Sequence, residues 1–143
     1  MTKKILCVDD DPNVLQALAR QHGRRFDLHT AMGCENGIMA LKNDGPFAVV
    51  ISDLRMPGLD GIRFLSLVTQ VSPDTVRIML TGQGDPQSES EAVNEGKVFR
   101  FLTKPCPPEK LAQALESALE QYRLMHAERD SLEKTLHVLA RRP

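Results

Sequence analysis

The stretch that decides the fold is AVVISDLRMPGLDG, residues 48–61. Its first four residues are apolar, which is typical of a strand buried on both faces of a parallel sheet. A carboxylate is costly inside an apolar core, so Asp53 must lie where this strand leaves the sheet. The Met-Pro-Gly sequence at 56–58 predicts a turn, and a helix is predicted from Gly61. Ligands of open α/β sheets bind beyond the carboxyl ends of the strands, so Asp53 is a candidate site residue.

Short apolar or alternating segments recur along the whole chain and are separated by segments with helical spacing. Strands are predicted at 5–8, 26–31, 48–51, 75–81 and 98–102. Helices are predicted at 12–24, 35–43, 61–71, 86–95 and from 108 onward. This alternation predicts an α/β fold with a doubly wound, five-stranded parallel sheet. In the flavodoxin-like strand order 2-1-3-4-5, right-handed crossovers place the first and third strands side by side.

Composition limits the classes of function. The 143 residues fit one ordinary hydrophobic core. With 18 basic and 19 acidic residues, the net charge of −1 gives no electrostatic reason to expect direct binding to nucleic acid or to a membrane. The apolar runs are too short to span a bilayer, and the first residues do not resemble a signal peptide. A cytoplasmic location is therefore expected.

Acidic side chains follow two strands that the predicted order makes neighbours. Asp9, Asp10 and Asp11 follow the first strand, and Asp53 follows the third. Asp11 precedes Pro12, a pair that predicts a helix N-cap with proline at the first helical position. Asp9 and Asp10 then face Asp53, and carboxylates in one crevice repel one another. A divalent cation relieves this repulsion, and a few carboxylates with water suit Mg²⁺. Any one of these aspartates alone could be a solvated loop residue.

A hydroxyl and an ammonium group are predicted at the same edge of the sheet. Thr81 ends the fourth strand in IMLTG, and Lys104 follows the fifth in FRFLTKP. Together with a carboxylate and a metal, they are suited to bind a phosphoryl group. Each residue alone is weak evidence, because strand ends often carry Thr or Lys.

Over residues 4 to about 122 the chain resembles a response-regulator receiver domain of the CheY-like family. The segments that carry the resemblance are ILCVDDDP, VISDLRMPGLDG, IMLTG and FRFLTKP, in that order. The resemblance implies that Asp53 accepts a phosphoryl group. It also implies that Asp10 binds Mg²⁺ directly, that Asp9 binds it through water, and that Asp53 and the backbone carbonyl of Arg55 complete the protein ligands.

The resemblance implies further roles near the fourth and fifth strands. Thr81 and Lys104 match the groups that contact phosphoryl oxygens, and Gly82 matches a small residue that leaves room there. Thr81 with Phe101, three residues before Lys104, matches the switch pair of the family. The Lys104–Pro105 peptide bond is expected to be cis, which is accessible because proline follows.

A phosphorylation-switched receiver of a two-component phosphorelay is the function that this resemblance implies. The donor would be a phosphohistidine on a histidine kinase or a histidine phosphotransfer protein. The domain would catalyse only its own phosphorylation and dephosphorylation, and would signal to an output domain or effector protein. Its signal would be a changed surface on the fourth helix, fifth strand and fifth helix.

Two other functions use parts of the same pattern. A Mg²⁺-dependent phosphohydrolase that forms an aspartyl phosphate needs an acid two residues beyond its nucleophile and a lid domain. This chain has Arg55 at that position and no insertion for a lid. A flavin-binding protein with a similar sheet needs a Gly- or Ser-rich loop after the first strand, where this chain has three aspartates.

The helix predicted from Pro108 has no Gly or Pro before Pro143 and is expected to run to about Ala140. Apolar residues recur along it at alternating spacings of four and three, a heptad seam. The seam positions are Leu111, Leu115, Ala118, Tyr122, Met125, Arg129, Leu132, Leu136 and Leu139. Residues 1–122 are predicted to form the receiver domain. Residues 123–143 are predicted to be a helical extension, either a coiled coil that pairs with a second copy or a linker to an output domain.

Overall fold

Strands and helices alternate along the computed structural model, which describes residues 1–56, 58, 60–82, 86–95 and 97–141. The elements are β1 (Ile5–Asp9), α1 (Pro12–His22), β2 (Leu28–Met32), α2 (Gly33–Asn43), β3 (Val49–Ser52), α3 (Gly61–Val71), β4 (Val76–Thr81), α4 (Pro86–Asn94), β5 (Arg100–Thr103) and α5 (Pro108–Ala140). Within these described residues, five parallel strands form one sheet in the order β2-β1-β3-β4-β5. The predicted fold class and strand order are confirmed.

The core has two layers, one on each face of the sheet. Side chains of β1 alternate between them: Ile5 and Cys7 belong to the cluster that includes buried residues of α1 and α5. Leu6 and Val8 belong to the cluster on the other face, with buried residues of α2 and α3. Because both faces of the central strands are covered, these strands read as continuous apolar runs in the sequence.

The structure differs from the sequence prediction mainly at the starts of the outer strands. β2 begins at Leu28 rather than at residue 26, because the amide of Phe26 still donates to the carbonyl of His22 in the turn after α1 (3.0 Å). β5 begins at Arg100 rather than at residue 98. Val98 and Phe99 are apolar because they contact the core clusters, although they precede the strand.

α5 is a single helix of 33 residues, as predicted. Its first seam positions, Leu111, Leu115, Ala118 and Tyr122, are buried against the sheet. The last three, Leu132, Leu136 and Leu139, are 60%, 55% and 52% exposed. Residues 142 and 143 lie outside the described part of the chain. No helix among the described residues is both long enough and apolar enough to cross a membrane.

Contact between α5 and the rest of the domain continues past Tyr122, where the sequence prediction ended it. Met125 is partly buried and borders a small cavity with Asp74 and Phe99. One turn further on, the guanidinium of Arg129 is paired with the carboxylate of Asp74 in the turn between α3 and β4. The sequence analysis placed Arg129 on the seam and gave it no partner in its own domain. Asp74 is too far away in the sequence for any local pattern to indicate the pair.

Candidate functional site

Asp9 and Asp53 lie at the carboxyl ends of adjacent strands. Val8 of β1 is in register with Ser52 of β3, so the next residue of each strand reaches the same edge of the sheet. The amide of Asp53 donates to the carbonyl of Val8 (3.2 Å), which ties the start of the following loop to β1. Carboxylate oxygens of Asp9, Asp10 and Asp53 all lie within 4.8 Å of one another. The predicted acidic cluster is therefore present.

Lys104 lies between two of these carboxylates. Its Nζ donates to Oδ2 of Asp9 (3.0 Å) and to Oδ2 of Asp53 (3.3 Å). The amide of Lys104 donates to the carbonyl of Thr81 (2.8 Å), which holds the Lys104 backbone at this edge of the sheet. The Lys104–Pro105 peptide is cis, as predicted. Burial alone would lower the pKa of Lys104, but the contacts with Asp9 and Asp53 raise that pKa above its ordinary value. The ammonium therefore keeps its charge beside the acids.

Asp9 is the most buried acid of the cluster, with a residue exposure of 4%. Its Oδ1 accepts a hydrogen bond from the amide of Asp11 (2.9 Å), while Oδ2 accepts the one from Lys104. Burial raises the pKa of the Asp9 carboxyl above its ordinary value, and these two hydrogen bonds offset that effect only in part. A second positive charge at this edge would favour the ionised carboxylate.

Asp10 and Asp11 have different surroundings, as the sequence predicts. The side chain of Asp11 caps α1 by accepting from the amide of Asn13 (2.9 Å), with Pro12 at the start of the helix. The Asp10 side chain is exposed and borders a surface cleft together with Arg55. Only Asp10 of this pair therefore belongs to the acidic cluster.

The loop after Asp53 is held tightly against the start of α3. Gly61 donates its amide hydrogen to the carbonyl of Leu54 (2.8 Å), and Asp60 caps the helix by accepting from the amide of Arg63 (2.9 Å). A Cβ on Gly61 would lie 1.9 Å from the carbonyl oxygen of Asp53. The sequence marked Gly61 only as part of a turn into a helix, so it missed this close approach. Pro57, in the predicted turn, lies outside the described residues.

Arg55 lies next to the Asp53 carboxylate on the loop. Oδ1 of Asp53 accepts a long hydrogen bond from the amide of Arg55 (3.4 Å). The Arg55 side chain borders the same surface cleft as Asp10 and Asp60. The predicted role of the Arg55 carbonyl as a metal ligand stays a prediction.

Thr81 and Phe101 lie on β4 and β5, the two strands on one side of β3, and Gly82 directly follows β4. Thr81 is fully buried at the end of β4 and is in register with Thr103 of β5. Phe101 lies two residues before Thr103, so Phe101 and Thr81 are on the same face of the sheet. Phe101 is only partly buried, against the core cluster that contains Met79. The nearest atom to a Cβ placed on Gly82 is Cβ of Lys104 at 4.0 Å, so the backbone is open there.

The sequence predicted that these residues meet, but it did not predict which of them pair. It placed Lys104 at the edge of the sheet that carries the carboxylates, and in the structure the shorter of its two hydrogen bonds goes to Asp9. A Lys after the fifth strand indicates that its side chain lies at this edge of the sheet, but not which carboxylate its ammonium group reaches. The burial of Asp9 relative to Asp10 was likewise not readable from three consecutive aspartates.

This sheet, with its acidic cluster and lysine at the carboxyl edge, defines a class of signalling domain. Residues 5–116 match the family model described as the response regulator receiver domain. The chain belongs to this family. Its members are switched by phosphorylation in two-component signalling, and they act as signalling modules rather than conventional enzymes.

Among curated proteins, the chain is similar to the transcriptional regulatory protein GlrR of Escherichia coli strain K12. The two are 37% identical over 118 residues, which is 82% of this chain and 26% of that protein. The phosphoglycerate transport system transcriptional regulatory protein PgtA of Salmonella typhimurium is 34% identical over 94% of this chain and 32% of its own length. The chain thus spans about a quarter to a third of the length of these relatives.

Among solved structures, the chain resembles one described as adenylate cyclase from Rhodopirellula baltica. The TM-score is 0.88 at 36% identity, over 94% of this chain and 99% of that one. The signal receiver domain of an HD domain-containing protein from Pseudomonas fluorescens Pf-5 gives a TM-score of 0.81 at 33% identity, over 86% of this chain and 98% of that one.

Proposed function

We propose that this chain accepts a phosphoryl group on Asp53 from a phosphohistidine of a histidine kinase or histidine phosphotransfer protein. The observation that supports this most is the convergence of Asp9, Asp10 and Asp53 with Lys104 at one edge of the sheet. A carboxylate in this setting can attack phosphorus, and the bond between phosphorus and the imidazole nitrogen of the donor breaks. The electron pair of that bond stays on the nitrogen, and Asp53 becomes an acyl phosphate.

The side chains around Asp53 suit the charge of that transfer. Lys104 touches an oxygen of Asp53 and can donate to a phosphoryl oxygen attached there. Asp9, Asp10 and Asp53 supply the hard oxygen ligands that Mg²⁺ prefers, close enough together to share one ion. When bound, Mg²⁺ would offset charge that develops on the phosphoryl oxygens. Arg55 would contribute its backbone carbonyl to the same ligand set.

The switch in this proposal uses Thr81 and Phe101. An aspartyl phosphate adds negative charge and acceptor oxygens near Thr81 and the open backbone of Gly82. The Thr81 hydroxyl then donates to a phosphoryl oxygen, and the partly buried Phe101 ring turns into the space that it leaves. The surface formed by α4, β5 and α5 changes with it, and an output domain or effector protein recognises that surface.

Mg²⁺ binding tests the acidic cluster directly. In Asp10→Asn, the affinity for Mg²⁺ is expected to fall by at least about 10-fold, because loss of a residue that only supports a ligand already costs that much and Asp10 is proposed as a ligand itself. The measurement is isothermal titration calorimetry with Mg²⁺ alone, followed by labelling with a small phosphodonor with and without Mg²⁺. Labelling of the parent protein is expected only with Mg²⁺ present.

Asp11→Asn is the matched control for this experiment. Asparagine caps a helix as well as aspartate does, so the variant removes one charge from the same loop and keeps α1 intact. It is expected to bind Mg²⁺ like the parent. Equal losses in the two variants would show that general loop charge, rather than a site at Asp10, attracts the ion.

We also propose that the helical extension pairs with a second copy through Leu132, Leu136 and Leu139. These side chains are more than half exposed, and burial of a leucine is favourable by about 1.5–3 kcal/mol relative to full exposure. Their spacing continues the heptad seam. A heterologous helix, such as one from an output domain, is the alternative partner.

Sedimentation equilibrium tests the pairing at tens of micromolar protein. The whole chain is expected to be dimeric there, which corresponds to an association free energy of about −6 to −7 kcal/mol. Leu136→Lys is expected to make it monomeric, because the charge would be buried at the seam. Leu124→Lys is the control, since Leu124 is 46% exposed on the same helix but lies off the seam. A monomeric parent protein would contradict the pairing.

A further inference from the structure

The helical extension has an anchoring point on its own receiver domain that the acceptor chemistry does not use. Arg129 lies seven residues beyond Tyr122, and both of its terminal nitrogens donate to the carboxylate of Asp74. The Nη2 to Oδ1 distance is 2.6 Å. This two-point geometry fixes direction as well as distance, which a single-point contact with lysine would not.

Asp74 lies in a turn that several hydrogen bonds hold against the domain. The next residue, Thr75, is buried, and its hydroxyl donates to the carbonyl of Phe47 (2.7 Å). The hydroxyl groups of Ser72 and Thr75 are hydrogen-bonded to each other, with 2.6 Å between their oxygens. The amide of Thr75 donates to the carbonyl of Ser72 (3.1 Å). Asp74 therefore offers its acceptor oxygens from a fixed position just before β4.

His126 fills the space between this turn and the helix. Its ring lies against the ring of Tyr122, with 4.3 Å between centroids, and Tyr122 is buried in the core. Nε2 of His126 is 3.9 Å from Oδ2 of Asp74. The contact between helix and turn thus continues from the core at Tyr122, through His126, to Arg129.

Arg129 makes this contact although nearer acids are available on its own helix. Pairing with Asp74 raises the pKa of Arg129, and the nearby carboxylates of Glu133 and Asp130 raise that pKa by smaller amounts. A pair with Glu133 would be local, at the i,i+4 spacing, and would order fewer groups. Pairing with Asp74 indicates that packing at Tyr122 and His126 already sets the direction of the helix. The long-range pair then costs little additional conformational entropy.

We propose that Asp74 and Arg129 form a latch that holds residues 123–129 of α5 on the receiver domain and fixes the direction in which the helix leaves it. The latch divides the heptad seam: positions up to Arg129 contact the chain's own domain, and Leu132, Leu136 and Leu139 remain open to a partner. A partner helix that engages Met125 and Arg129 must first open the latch. The inference does not rest on phosphoryl transfer, because Asp74 lies at the opposite end of β4 from Thr81.

Hydrogen–deuterium exchange of the full chain tests the latch. In Asp74→Asn, amides of residues 124–131 are expected to exchange about two- to fivefold faster, the size expected for loss of a well-oriented exposed ion pair. Amides of the buried first turns of α5 serve as the internal reference and are expected not to change. Glu120→Gln is the matched control, because it breaks the pair of Glu120 with Arg123 within the helix and leaves Asp74 untouched.

A charge swap separates the latch from a general effect of charge. Arg129→Asp alone is expected to increase exchange, since two carboxylates would then face each other. Adding Asp74→Arg is expected to return the exchange of residues 124–131 to near the parent rate. Unchanged exchange in Asp74→Asn, or a swap that fails to restore protection, would overturn the proposal. Neither result depends on whether Asp53 accepts phosphate, which is measured separately by labelling.

Discussion

Asp53→Asn is expected to reduce phosphoryl labelling to less than about one hundredth of the parent level, because an amide cannot form the acyl phosphate. The side chain is nearly isosteric, and the amide of Asp53 keeps its backbone bond to Val8. The fold should therefore remain intact. The measurement is intact-mass spectrometry after incubation with Mg²⁺ and a small phosphodonor, with thermal unfolding recorded on the same samples.

Thr81→Ala is the control for this result, because Thr81 is assigned to the switch and not to the acceptor. The variant is expected to be labelled to nearly the parent extent but to lose the change in partner binding that labelling produces. If Asp53→Asn is labelled like the parent, the acceptor is another residue. If Thr81→Ala couples labelling to partner binding normally, the proposed switch is wrong.

Most of the fold was readable because buried parallel strands leave strong local signals. The run at 48–51 predicted β3 to within one residue, which spans Val49–Ser52 in the structure. The outer strands were predicted less well, because apolar residues there also serve the loops: Val98 and Phe99 contact the core before β5 begins. An apolar residue indicates a buried position. At the edge of a sheet, a residue can be buried without belonging to a strand.

Membership of the acidic cluster was predictable for a topological reason. Once β1 and β3 are neighbours, residues that follow them must meet, whatever their side-chain conformations. The pairings inside the site depend instead on side-chain length and depth. Lys104 contacts both Asp53 and the more buried Asp9, and nothing in FRFLTKP specifies the second contact.

Contacts between distant parts of the chain were the hardest to predict. Asp74 and Arg129 are 55 residues apart, and each taken alone looks like an ordinary charged surface residue. The heptad pattern assigned Arg129 to a seam, because the pattern reports which face of the helix a residue occupies. Which surface covers that face is decided by the tertiary structure.

Gly61→Ala is expected to lower the free energy of unfolding by about 2–4 kcal/mol, the upper part of the range for single substitutions that force atoms into a packed site. Sequence reasoning predicts the opposite sign, because alanine in a helix is favoured over glycine by up to about 1 kcal/mol. The structure decides between them: a Cβ on Gly61 would lie 1.9 Å from the carbonyl oxygen of Asp53 and 2.9 Å from Cα of Leu54. These are backbone atoms, so the loop itself must move.

Urea unfolding monitored by circular dichroism measures this effect, with Gly82→Ala as the matched control on the neighbouring strand end. A Cβ on Gly82 meets its nearest atom at 4.0 Å, an ordinary contact, so the control is expected to change the free energy of unfolding by no more than about 0.5 kcal/mol.

Because Gly61 is hydrogen-bonded to Leu54 (2.8 Å), the loop that alanine displaces is the one that carries Asp53. Labelling of Gly61→Ala should therefore fall even at temperatures where the protein stays folded. A Gly61→Ala protein as stable as the parent would show that the Asp53 loop and the start of α3 are not in this close contact.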